Sequence, residues 1–139
     1  MLDNLIHLFA PLTANCSDFK ENWERASQTP AGAVGGCWQG EWISAVSGHR
    51  GPLRCVVDPL LEDQWRMSFR AEYAKVFRAC YATEFKVVQE AGRWTFSGGS
   101  NLGPLAGGAY EYRGWASLEE LTCSYKSAKD HGEFRLRKI

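Results

Sequence analysis

The sequence predicts an all-β fold, an antiparallel up-and-down barrel of about eight strands preceded by one or two short helices. Three observations predict it. The hydrophobic period shifts from about 3.6 residues to about 2 near residue 37. One-sided alternation then recurs in run after run. Turn material bearing glycine separates the runs, and no stretch supplies a crossover helix.

Taken in order, Leu2, Leu5, Ile6 and Phe9 fall at helical spacing and predict one or two turns ended by Pro11. A second helix is expected to start at Asp18, which has capping-box spacing to Glu21, and to end before Pro30. Phe19, Trp23 and Ala26 form its apolar stripe. Residues 31–36 are small and glycine-rich. The chain therefore divides into a short helical segment over 1–35, packed on the body, and a barrel domain over 36–139.

The clearest strand carries Trp65, Met67, Phe69, Ala71 and Tyr73 on one face and Arg66, Ser68, Arg70 and Glu72 on the other. One face is apolar and the other wet, as in an antiparallel strand covered on one side. Phe77, Ala79, Tyr81, Thr83, Phe85 and Val87 repeat the pattern. Weaker copies are Trp38–Trp42, Leu53–Val57, Trp94–Phe96, Tyr110–Gly114, Leu121–Tyr125 and Phe134–Leu136. Turns are expected around 47–51, 91–92, 98–103 and 127–132. Closing the meander removes its exposed edges, which favours a barrel; a sandwich is the rival, because periodicity does not count sheets.

The 139 residues hold 16 basic and 16 acidic side chains. Zero net charge argues against nucleic acid held by a globally basic surface. No apolar run approaches the roughly 20 residues of a membrane helix, so no membrane insertion is expected. The early residues lack a basic leader, which predicts a cytoplasmic protein; an exported one whose leader has been removed is the alternative. The five cysteines are widely spaced, without CxxC or zinc-site spacing. Buried free thiols are the expectation and a disulfide in an exported protein the alternative. No metal and no cofactor is implied.

The sequence Gly36-Cys37-Trp38 matches the GxW signature that opens the first strand of lipocalins. The stretch 36–139 resembles the lipocalin-like, or calycin, small barrels, and is more similar to a bacterial relative with this topology than to a transport lipocalin. The resemblance implies that Trp38 packs at the closed end, with Arg135 or Arg137 lying across it. The chain has no TDYxxY-like motif, and its final FRLRKI lacks the Arg-x-Tyr clamp of fatty-acid-binding barrels, so a fatty acid is not implied.

A barrel of this size is either filled by its own side chains or holds one small molecule. Trp65, Phe69, Tyr73, Tyr81, Phe85, Trp94, Tyr110, Tyr112 and Tyr125 are the expected ligand-binding residues, an apolar lining with phenols to orient a polar group. His49, Arg50, Asp130 and His131 are the candidate polar groups at the barrel mouth. Residues 101–108 lack the lysine and hydroxyl of a phosphate loop and read as a barrel corner or a portal. Lys126, Lys129, Arg135, Arg137 and Lys138 outnumber Asp130 and Glu133 near the end of the chain, a solvated strand face with the makings of a local basic patch. Trp115 has outward parity and is assigned to a contact with the helical segment or a second copy.

The sequence thus favours non-catalytic binding of a small hydrophobic or aromatic molecule. A filled structural or protein-interaction barrel, as monomer or homodimer, is the second reading. An enzyme using His49, Asp130 and His131 is the third.

Overall fold

The computed structural model describes residues 16–73, 77–101 and 108–139. The helix expected over Leu2–Phe9 and most of the 101–108 segment lie outside the described residues. Among the described residues, one helix, α1 (Cys16–Ala26), precedes eight strands: β1 (Gly36–Ser44), β2 (Arg50–Leu61), β3 (Gln64–Tyr73), β4 (Phe77–Glu90), β5 (Arg93–Asn101), β6 (Ala109–Ala116), β7 (Glu120–Lys126) and β8 (His131–Lys138). Each pairs antiparallel with the next, and β1 pairs with β8, so the sheet closes. That last pairing decides for a barrel and against the sandwich.

Two local features show how the sequence permits closure. At Ala91 and Gly92 φ is 49° and 78°, the double positive turn that suits a tight β4–β5 hairpin. At Gly40, a Cβ would stand 1.9 Å from the Arg135 carbonyl oxygen. Only glycine lets β1 cross β8 so closely, on the line where the barrel seals.

Strand direction gives the barrel two ends. The lower rim carries the β2–β3, β4–β5 and β6–β7 turns and the start of β1; the upper rim carries the β1–β2 and β7–β8 turns and the ends of β3 and β5. The inward residues of all eight strands form one buried cluster, from Trp38, Trp65 and Leu121 to Tyr110 and Tyr125. The wall is unevenly zipped. Among the described residues, β4 pairs with β5 only from Lys86↔Ser97 to Glu90↔Arg93, and no pairing joins Thr83, Glu84 or Phe85 to β5. A groove of about 920 Å³ lies there, with Glu84, Phe85, Gly98, Tyr112 and Arg113 among its walls.

The helix packs outside the barrel. Phe19, Val56 and Cys80 form a second small core, against which Cys16, Trp23 and Ala26 pack. The predicted stripe is therefore right, while the helix starts two residues before Asp18, which sits in its first turn. Its first residue corrects the expectation of free thiols: Cys16 is bonded to Cys80, 64 residues away. Cys80 has outward parity on β4, so it faces the helix. Cys37, Cys55 and Cys123 are free and buried.

Trp38 is fully buried at the lower end, and its indole N–H donates to the Val34 carbonyl at 3.0 Å. The arginine expected across it is corrected. Arg135 pairs with Glu133 and Arg137 with Glu120 on the outer face. Lys138, of inward parity at the end of β8, lies 5.8 Å from the Trp38 ring instead. Trp115 has the Arg93 guanidinium of the neighbouring strand 3.8 Å from its ring. No described helix is long and apolar enough to cross a membrane.

Candidate functional site

The nine residues expected to line a ligand site all have inward parity, but they fall into two groups. Trp65, Phe85 and Trp94 belong to the lower half. Trp65 packs on Trp94 at 6.2 Å and on Phe96 at 5.8 Å, and Phe85 meets Phe96 edge-on at 5.5 Å. These rings plug that end. Phe69 sits above them, 5.1 Å from Tyr81 and 5.5 Å from Phe134.

The upper half is different in kind. All five tyrosines of the chain, Tyr73, Tyr81, Tyr110, Tyr112 and Tyr125, lie there and are buried. Tyr110 stacks on Tyr112 at 6.3 Å, and Tyr125 on Phe134 at 5.2 Å. Burial raises the pKa of Tyr73 and Tyr110 and takes that of Tyr81 well above the ordinary phenol value. Tyr125 is raised by burial and by the Asp130 carboxylate it touches. The phenols therefore stay neutral at physiological pH and act as hydrogen-bonding groups, not as charges.

The mouth candidates separate. Asp130 is 4% exposed, and its two carboxylate oxygens accept from Ser44 Oγ at 2.8 Å and from Tyr125 Oη at 3.1 Å. Ser44 Oγ in turn accepts from the backbone N–H groups of Val46 and Ser47. The Ser127 hydroxyl accepts from the N–H of Lys129 and of Asp130 and donates to the Asp130 carbonyl. Asp130 thus pins the β7–β8 turn to β1. The two histidines do reach the same rim: the His49 carbonyl accepts from the Ser44 N–H and the His131 carbonyl from the Ala45 N–H. Both side chains are exposed, however, while the carboxylate points inward. Arg50 turns to the outer face, where its guanidinium holds Glu41 below the usual carboxylate range. The geometry supplies no acid–base constellation from these four residues. Among the described residues, no group of three metal-binding side chains comes together either.

Sequence reasoning passed over two inward polar residues. Ser44 continues the parity of Trp42, and Thr83 lies between Tyr81 and Phe85. Alternation is the signal that could have found both, since each shares the parity of its aromatic neighbours. Among the described residues, Thr83 Oγ1 is the buried side-chain polar atom without a hydrogen-bond partner. It lies on the part of β4 that β5 leaves unpaired. Such an atom costs about 1–3 kcal/mol unless something satisfies it.

No protein-family model matches the chain, and no curated protein sequence does. Among solved structures, a redesigned β-barrel, mFAP1, bound to DFHBI, is similar to it, with a TM-score of 0.55 and 10% identity over 76% of this chain and 94% of that one. The likeness is one of fold: a closed antiparallel barrel of eight strands.

Proposed function

We propose that this chain binds, without transforming it, a small and largely apolar aromatic molecule in the upper half of its barrel. Thr83 carries the reading. A buried hydroxyl with no protein partner, on an aromatic wall beside an unzipped strand, is suited to a ligand that brings a hydrogen-bond acceptor or donor of its own. In this proposal Tyr73, Tyr81, Tyr110, Tyr112 and Tyr125 surround the ligand together with Phe69, Thr83 is reached at its lower end, and Phe85, Trp65 and Trp94 seal the space below. Among the described residues, the buried polar ones are Ser44, Ser68, Thr83 and Asp130, with no cation among them. A neutral ligand therefore fits better than a carboxylate. The lipocalin-like resemblance of the GxW segment and the likeness to a barrel solved with DFHBI both agree with this reading.

A second reading has its own support. Ring contacts run without a break from Trp94 through Trp65, Phe96, Phe85 and Tyr112 to Phe134 and Tyr125, as in a barrel filled by its own side chains.

Native mass spectrometry of the protein purified from its own host separates the two. The binding reading expects a reproducible non-covalent adduct that Thr83→Val weakens about tenfold, the worth of one buried hydrogen bond. A wild-type protein that is free of adduct and is merely stabilised by Thr83→Val would select the filled barrel.

A further inference from the structure

The outer face of the barrel follows a charge rule and breaks it once. Cross-strand neighbours of opposite sign recur around the wall: Asp58↔Arg66, Arg66↔Glu84, Glu72↔Arg78, Glu111↔Lys126 and Glu120↔Arg137. Such pairs stabilise a sheet, whereas like charges directly opposite one another destabilise it. Among the described pairings of ionised side chains, Arg54↔Arg70 is the exception. The exception extends sideways, because Gln39 is opposite Arg54 on one side and Arg137 on the other. Arg137, Gln39, Arg54 and Arg70 thus form one lateral row across β8, β1, β2 and β3.

The row lies in a groove of about 720 Å³ whose walls also include Lys138 and Glu72. Glu72 is the single acidic side chain among them, and it stands 3.6 Å from Arg70. Arg54 lies 5.1 Å from the Trp23 ring of α1, so the helix forms one flank.

We propose that this groove is an anion site for a small molecule carrying two or more phosphoryl groups. Arg54 and Arg70 start from Cα positions about 5 Å apart, close enough for both guanidinium forks to hold one phosphoryl group. Arg137 starts two strand spacings from Arg54, roughly 10 Å away, and exchanges its exposed contact with Glu120, at 3.5 Å, for a second group. Gln39, between them, offers an amide N–H. A planar fork matches phosphate oxygens in a way that an ammonium does not, which accounts for arginine at three positions of the row. The site is on the outer wall and is independent of any ligand inside the barrel.

The test is a titration of the full chain with inorganic pyrophosphate, followed by amide NMR. The expected result is saturable shifts at Gln39, Arg54, Arg70 and Arg137, with an affinity that falls as salt rises. Arg54→Gln and Arg70→Gln should each weaken binding about tenfold while the rest of the spectrum keeps its wild-type pattern. Arg113→Gln, on β6, should leave it unchanged. Absence of saturable shifts at millimolar pyrophosphate overturns the proposal, as does equal weakening by Arg113→Gln, which would mark general counter-ion attraction. Saturation by an acidic peptide where pyrophosphate gives none would assign the row to a protein partner and overturn it too.

Discussion

The two halves of the barrel interior obey one alternation rule with different residues. The lower half is built from tryptophan, phenylalanine and aliphatic side chains, and its rings touch at centroid distances of 5.5 to 6.2 Å. The upper half holds every tyrosine, together with Ser44 and Asp130. Phenylalanine and aliphatic side chains pack against each other with nothing left over, and a tryptophan brings one indole N–H, which at Trp38 the Val34 carbonyl accepts. Phenols need partners, and each brings a hydroxyl that must be satisfied by protein, water or ligand. One end is thus made for sealing and the other for hydrogen bonding, although both count equally as hydrophobic in the sequence.

The largest expected effect tests the sealed half. Phe85 is 1% exposed and touches both Phe96 and Tyr112. Phe85→Ala should cost about 3–5 kcal/mol in urea unfolding, from lost burial and the cavity left among rings that are fixed to strands and cannot close it. Tyr110→Phe in the upper half, which removes only a hydroxyl, should cost about 1 kcal/mol or less. Similar costs at the two sites would erase the distinction between the halves.

Much of this fold was legible beforehand, because period 2 reports which side chains face in regardless of how strands are joined. What alternation does not report is height. Tyr112 and Trp94 have the same parity, and only the strand registers place one above Phe85 and the other below it. Contacts across the barrel are hidden for the same reason. Ser44 and Asp130 are 86 residues apart, and their bond exists only because β1 closes on β8. The Cys16–Cys80 pair is not legible in the sequence because its partners lie on a helix and on the outward face of a strand, which alternation does not bring together. Lys138 was overlooked beside Trp38 because the resemblance pointed to an arginine.

That disulfide supplies the second test, outside the barrel. Cys16→Ser with Cys80→Ser should lower stability by about 2–4 kcal/mol, since the bond closes a long loop in the unfolded chain. Loss of the staple should also free Phe19 and Trp23 to leave Val56, seen as a red shift of tryptophan emission. Thiol titration of the unreduced protein in denaturant should find three reactive cysteines; five would refute the bond.

At the upper rim, Asp130→Asn probes the polar half directly. The substitution keeps the shape and removes the charge that Ser44 and Tyr125 donate to. Hydrogen bonds to a charged group are worth about 1.5–3 kcal/mol, and that is the expected loss. Ser44→Ala should be sub-additive with it, because both break the same link between the β7–β8 turn and β1. Strict additivity would mean that the two residues act separately and that the rim is not pinned as a unit.

The smallest effect per step, and the most specific to the contrast between halves, is the response to alkali. In the unfolded chain tyrosines ionise near pH 10; in the folded barrel burial raises Tyr81 well above that, and burial with Asp130 raises Tyr125. The folded state then holds protons that the unfolded state has released, so this stability is intact below pH 10 and is lost as pH rises beyond it. Each such group removes about 1.4 kcal/mol per pH unit. Cys123, pushed up to about 12 from 9.0 by burial, acts in the same direction from one unit lower. Urea unfolding at stepped pH should therefore show a decline that begins near pH 9 and steepens above 10, with tyrosinate absorbance appearing only as the chain unfolds. Tyr81→Phe should flatten the upper limb, whereas Phe85→Leu should shift the whole curve down without changing its slope. Tyrosinate that forms while the barrel is still folded would show that water and hydroxide already reach the phenols, and would turn the upper half from a buried lining into an open one.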